Sequence, residues 1–153
     1  MKLDGEIILI DNDKFEYDFL IEALKRLNYD VGVVYLQTAK EGFDYLKQTK
    51  KDIFLIISEI DFDGMDGLAL KKAINEEANT VWKSIPFVFI ANEATKETVD
   101  AAYKHNIHGL FRKPPKLDSL TDLFSVIIRY WIMNLHPNKD ESFYAVDWYN
   151  AST

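Results

Sequence analysis

Residues 55–67 read LIISEIDFDGMDG, and residues 7–13 read IILIDND. Both are short runs of consecutive apolar residues that stop abruptly in acids. Side chains alternate between the two faces of a strand, so an unbroken apolar run suits a strand covered on both faces, as in a parallel sheet flanked by helices. Working outward from these two runs, the same pattern occurs five times. Residues 7–10 precede a helical stripe of Tyr17, Leu20, Ile21, Leu24 and Leu27. Residues 31–36 precede a helix around 39–46. Residues 53–57 lead through a Gly-rich turn to a helix near 68–78. Residues 86–90 precede a helix at about 95–105, and residues 109–112 precede a long helix at about 117–135. Strand-helix alternation requires crossover connections, which predicts an α/β domain with a doubly wound, five-stranded parallel sheet.

Composition narrows the function. A chain of 153 residues fits one domain, with residues 5–135 forming it and residues 136–153 an aromatic-containing extension. There is no cysteine, so disulfides and thiolate metal sites are excluded. The formal net charge of −7 opposes binding to phosphate backbones, so no nucleic-acid partner is expected. Asp4 and Glu6 interrupt any signal-peptide core, and no apolar run approaches the roughly 18 residues of a membrane span. A cytoplasmic location without membrane attachment is the expectation.

Ligands of open α/β sheets bind beyond the carboxyl ends of the strands, where strand order reverses. In a five-stranded doubly wound sheet that point lies between the first and third strands. Both end in acids, Asp11-Asn12-Asp13 and Glu59 with Asp61. Converging carboxylates repel one another, and a bound Mg²⁺ is an economical remedy because it takes one or two carboxylates and keeps several waters. Lys113, just after the fifth strand and followed by Pro114, offers a protein cation. Blander roles compete for several acids. Asp13 stands where the first helix begins and could simply cap it, Asp66 reads as a turn or cap residue, and Asp61 and Asp63 could be loop acids. His105, His108 and His136 lack metal-site spacing and read as structural or solvated.

These residues resemble the receiver domains of bacterial two-component response regulators. The resemblance covers residues 6–134 and rests on IILIDND (7–13), LIISEIDFDGMDG (55–67), FVFIANE (87–93) and GLFRKP (109–114). It implies a flavodoxin-like fold of strand order 2-1-3-4-5. It also implies a phosphoryl group received from a histidine kinase at the end of the third strand, with Mg²⁺ held by acids after the first. Asp11 then matches the first metal-site acid, while Asn12 replaces the second and neighbouring Asp13 compensates. Glu59 occupies the phosphoacceptor position, and Asp61 the position whose backbone carbonyl meets the metal. The implied metal set is Asp11, Asp13, Glu59 and Asp61. Ala91 falls where the phosphate-sensing hydroxyl belongs, and Leu110 where many members carry a switching aromatic. Lys113 and Pro114 match, and a cis bond between them is expected.

The departures predict a degenerate receiver. A glutamate reaches one methylene further than an aspartate and carries about one negative charge, against roughly 1.5 to 2 for a phosphoryl group. Glu59 is expected to pair with Lys113 and partly imitate the phosphorylated state, while the methyl of Ala91 cannot transmit it. The expected role is a stand-alone, non-enzymatic signalling module acting through protein-protein contacts. A homodimer through the fourth helix, fifth strand and last helix is one such contact. Leu120, Phe124, Ile127, Trp131 and Leu135 form the core stripe of the last helix, flanked by Val126, Tyr130 and Met133. The tail aromatics Phe143, Tyr144, Trp148 and Tyr149 either cover that flank or leave it to a partner. The alternative function is a Mg²⁺-dependent phosphatase of haloacid-dehalogenase type, with Asp11 as nucleophile and Asp13 as general acid. That chemistry needs a second acid pair late in the chain, and Asp118 and Asp122 lie within the last helix pattern and not at a strand end.

Overall fold

The computed structural model describes residues 3–139 except 63 and 79. Among the described residues the elements are β1 (Glu6–Ile10), α1 (Lys14–Leu27), β2 (Val33–Leu36), α2 (Ala39–Gln48), β3 (Ile53–Glu59), α3 (Gly67–Glu76), α4 (Thr80–Ser84), β4 (Phe87–Ala91), α5 (Lys96–Lys104), β5 (Gly109–Arg112) and α6 (Asp118–Met133). The five strands are parallel in the order β2-β1-β3-β4-β5, the predicted topology. The short α4 has no counterpart in the elements expected from sequence.

Alternation along the central strands builds two cores, interrupted only where the β1–β3 register shifts and Phe54 and Leu55 share one side. Ile7 and Leu9, Leu55 and Ile57, and Val88 and Ile90 face one side and pack with Leu20 and Leu24 of α1 and Leu120, Phe124 and Ile127 of α6. Ile8 and Ile10, Ile56, and Phe87 and Phe89 face the other side and pack with Leu46, Leu70, Ile74 and Ala102 from α2, α3 and α5. A one-residue slip of β3 would exchange its two faces, so packing on both sides fixes the register.

Helix α6 ends at Met133, and Asn134 caps it by turning to extended backbone. Leu135 therefore leaves the core stripe and is 71% exposed, contrary to expectation. Ile128 and Thr121 complete the buried face instead. The flanking Val126, Tyr130 and Met133 are exposed.

The first residues beyond position 135 are held at the amino end of β3. The His136 ring stacks on Phe54 with centroids 4.5 Å apart. Its Nδ1 accepts from the Asn138 amide at 3.1 Å, so Nε2 carries the proton donated to the Phe54 carbonyl at 2.7 Å. Asn138 Nδ2 donates to the Ile53 carbonyl at 3.0 Å. His136 is thus structural: it is buried, and Asn138 is tied to the β3 backbone. The tail aromatics Phe143, Tyr144, Trp148 and Tyr149 lie outside the described residues, as does Asp63.

Candidate functional site

Strand parity assembles the site. Asp11 lies two residues beyond Leu9, Glu59 two beyond Ile57, and Lys113 two beyond Phe111, and those three apolar residues share the α1–α6 core. The polar side chains therefore emerge on one side of the sheet at its carboxyl edge. Lys113 Nζ lies 3.0 Å from Glu59 Oε2 and 3.3 Å from Asp11 Oδ2. Asp11 is fully buried and Glu59 is 8% exposed.

Glu16 is the fourth member, and sequence reasoning missed it. Its Oε1 makes the shortest contact, 2.6 Å to Lys113 Nζ. The reason is local. Asp13 caps α1, its Oδ1 accepting from the Phe15 amide at 2.9 Å, so Glu16 falls three residues into the helix start. A glutamate there ordinarily reaches back to the cap's own amide. Here that amide donates to Asp11 Oδ1 at 2.8 Å, which leaves Glu16 to turn into the pocket. The Asp13-x-x-Glu16 spacing was the available signal.

Three carboxylates around one ammonium are not neutralised. Burial raises the Asp11 carboxyl to about 7, with Glu16 adding to the shift. Burial and then Asp11 raise Glu59 to about 7, against the opposing pull of Lys113. For Lys113, burial works to lower the pKa, but Glu16, Asp11 and Glu59 outweigh it and hold the amine protonated. The Tyr35 hydroxyl on β2 is likewise pushed up by burial and then by Asp11, Asp13 and Glu16.

The remaining residues singled out from sequence lie outside this cluster. Asn12 and Asp13 are exposed, and Asp13 serves as the cap. Asp61 is exposed and lines an open cleft of about 670 Å³ with Asn92, Glu93, Thr95 and Arg112. Ala91 is buried in the opposite core. Its carbonyl accepts from the Lys113 amide at 2.8 Å. Asp66 caps α3, accepting from the Ala69 amide at 2.8 Å. Gly67 starts α3 so close to β3 that a Cβ would stand 2.7 Å from the Glu59 carbonyl oxygen. The bond between Lys113 and Pro114 is trans, which corrects the expected cis bond. Trans is the intrinsically favoured isomer, and from it Lys113 satisfies both its amide and its ammonium.

The sequence pattern of the family described as "Response regulator receiver domain" matches residues 7–125. The chain belongs to this family. It is therefore a receiver domain of two-component signalling. It is 27% identical to chemotaxis protein CheY-3 of Vibrio cholerae over 110 residues, covering 71% of this chain and 80% of that protein. Two-component response regulator ARR10 of Arabidopsis thaliana is 22% identical over 123 residues, 80% of this chain. The chain spans only 21% of that plant protein's length. Among solved structures, the phosphorylated cyanobacterial phytochrome response regulator RcpA superposes with a TM-score of 0.78 at 20% identity, covering 88% of this chain and 99% of that one. The Mn²⁺-bound form of response regulator Rcp1 superposes at 0.75, with 86% and 96% covered. These likenesses confirm the flavodoxin-like receiver fold. The phosphatase alternative gains nothing, because Asp118 and Asp122 lie on α6 and Asp122 pairs at the surface with Arg26. No helix among the described residues is long and apolar enough to cross a membrane.

Proposed function

We propose that this receiver signals through protein-protein contacts and is not switched by ordinary phosphorylation. The observation that carries the reading is the contact between Glu59 Oε2 and Lys113 Nζ, 3.0 Å apart in a buried pocket. At the phosphoacceptor position a glutamate already holds the lysine that would bind a phosphoryl oxygen. On the neighbouring strand Ala91 faces the other core, and its methyl makes no hydrogen bond. Acceptor and sensor are thus both altered, while the charge pairing of an occupied pocket is built in.

Mg²⁺ binding belongs to this reading as a weak property. The donor set fits such an ion: Asp11, Glu16 and Glu59 each offer an oxygen, all within 4.8 Å of one another. Asp11 and Glu59 would hold the ion, and the Asp61 carbonyl and Asp13 are the further donors implied by the family pattern. Such an ion would supply positive charge to the pocket. The partners are a sensor histidine kinase or another signalling protein, in the cytoplasm. The surface for them, or for a second copy, is the groove between α5, β5 and α6. It has a volume of about 390 Å³ and is lined by Tyr103, Leu110, Val126, Tyr130 and Trp131.

Incubation with acetyl phosphate and Mg²⁺, followed by intact-mass measurement, tests the central point. The wild-type protein is expected to gain no phosphoryl group, and Glu59→Asp combined with Ala91→Thr to gain some. Stoichiometric phosphorylation of the wild type would refute the reading.

A further inference from the structure

Glu16 has a feature that the ion-pair network does not use. The residue is 6% exposed, and its Oε1 pairs with Lys113. Its Oε2 is buried without a hydrogen-bond partner. Burying a carboxylate oxygen unpartnered is unfavourable, so this oxygen is free to take a ligand. Formal charge points the same way. Three carboxylates against one ammonium leave two negative charges uncompensated when all are ionised, which one divalent cation would balance. The ligand oxygens lie within 4.8 Å of one another. Opposite oxygens stand about 4.2 Å apart around Mg²⁺ and about 5 Å apart around Ca²⁺. The loop after β1, meanwhile, presents the neutral amide of Asn12 to solvent.

We propose that Glu16 supplies, from the first turn of α1, the carboxylate that Asn12 lacks, so that Asp11, Glu16 and Glu59 together bind one hard divalent cation. This deepens the reading above and rests on its identification of the acidic pocket as the cation pocket. An all-oxygen, anionic donor set selects Mg²⁺ or Mn²⁺ over thiophilic metals. Lys113 contacts the same three carboxylates, so ammonium and metal compete and the affinity is held down.

Mn²⁺ titration, with the free ion followed by electron paramagnetic resonance, tests the assignment, and far-ultraviolet circular dichroism checks that each variant is folded. The wild type is expected to bind one Mn²⁺. Glu16→Gln, which keeps the side-chain shape, should weaken binding by at least about tenfold, since ligand charge tunes such sites. Adding Asn12→Asp to that variant should recover most of the loss by moving the acid back to the loop. Wild-type affinity in Glu16→Gln overturns the proposal, as does a double variant no better than Glu16→Gln, or a wild type that binds no Mn²⁺. Phosphoryl transfer plays no part in this readout. Phosphorylation of the wild type would therefore refute the preceding reading's account of switching and leave the cation site standing, whereas a failed Mn²⁺ titration would overturn the cation site and the weak Mg²⁺ binding, and leave the account of switching standing.

Discussion

Replacing Lys113 by Met removes the only cation in contact with Asp11, Glu16 and Glu59 among the described residues, while keeping an apolar stem of similar length. The ammonium stands 2.6 Å from Glu16, 3.0 Å from Glu59 and 3.3 Å from Asp11. At an effective dielectric constant near 20, these pairings are worth roughly 5 to 6 kcal/mol of Coulomb energy each. Desolvation of the ammonium offsets most of that sum, and measured losses on breaking a buried ion pair run at about 3–5 kcal/mol. The variant should therefore be less stable by about 3 kcal/mol near pH 8. The difference should shrink toward acid. Asp11 and Glu59 titrate at about 7, so near pH 5.5 both are largely protonated in the wild type and the lysine has less negative charge to neutralise. We expect roughly half the destabilisation there. Urea unfolding of both proteins at the two pH values measures it. A destabilisation independent of pH, or one below about 1 kcal/mol near pH 8, would show that the three ion pairs do not act as one electrostatic unit and would refute the reasoning.

The wild type should itself be more stable near pH 5.5 than near pH 8. Asp11 and Glu59 have folded pKa values raised above their unfolded ones, so the folded state binds more protons between about pH 4 and 7 and stability falls as pH rises through that window. A urea midpoint that rises over the same interval would contradict this. Lys71 on α3 is 1% exposed, with its Nζ 5.4 Å from the centre of the Phe87 ring and no carboxylate partner among the described residues. Burial pushes its pKa down, so Lys71→Met should stabilise by about 1–2 kcal/mol at neutral pH. The gain should fade as pH rises through the folded pKa of the wild-type lysine, which thermal unfolding at two pH values would reveal. Gly67→Ala must force α3 away from the Glu59 carbonyl or from the Phe89 ring, which a Cβ would approach to 2.6 Å. It should cost about 1–3 kcal/mol in urea unfolding, as overpacking does.

The fold was legible because burial on both faces leaves its mark on every central strand. Residues such as Ile7 through Ile10 and Leu55 through Ile57 are apolar at odd and even positions alike, as a strand covered on both faces requires. Asp11, Glu59 and Lys113 were legible because each immediately follows or closes such a run, so one rule about strand ends places all three. Glu16 was not, because an acid three residues into a helix start is ordinarily a capping or solvated residue. Its inward turn follows from Asp11 having taken the cap amide and from pairing with Lys113 beyond β5, and the second of these is a tertiary fact. The five residues of α4 carry no apolar period long enough to read. Leu135 kept the helical spacing of the α6 stripe, yet the helix ends before it because Asn134 turns to extended backbone.

On the proposed reading, the division of the sheet edge into two faces decides what the pocket can communicate. A change of charge alters a distant surface only by favouring one of two arrangements of some element that both sites touch. The cluster of Asp11, Glu16, Glu59 and Lys113 opens toward α1 and α6. The groove of Tyr103, Leu110 and Tyr130 lies along α5, β5 and α6. β5 and α6 border both sites, and Ala91 at the end of β4 offers the pocket a backbone carbonyl, fixed by the Lys113 amide, and no movable polar group. Neutralising Glu59 would then change the stability of the pocket while leaving the groove in one arrangement. Partner binding there should respond to substitutions of Tyr103 or Tyr130 and not to Glu59→Gln, a contrast that places the recognition energy in the apolar surface and not in the acids.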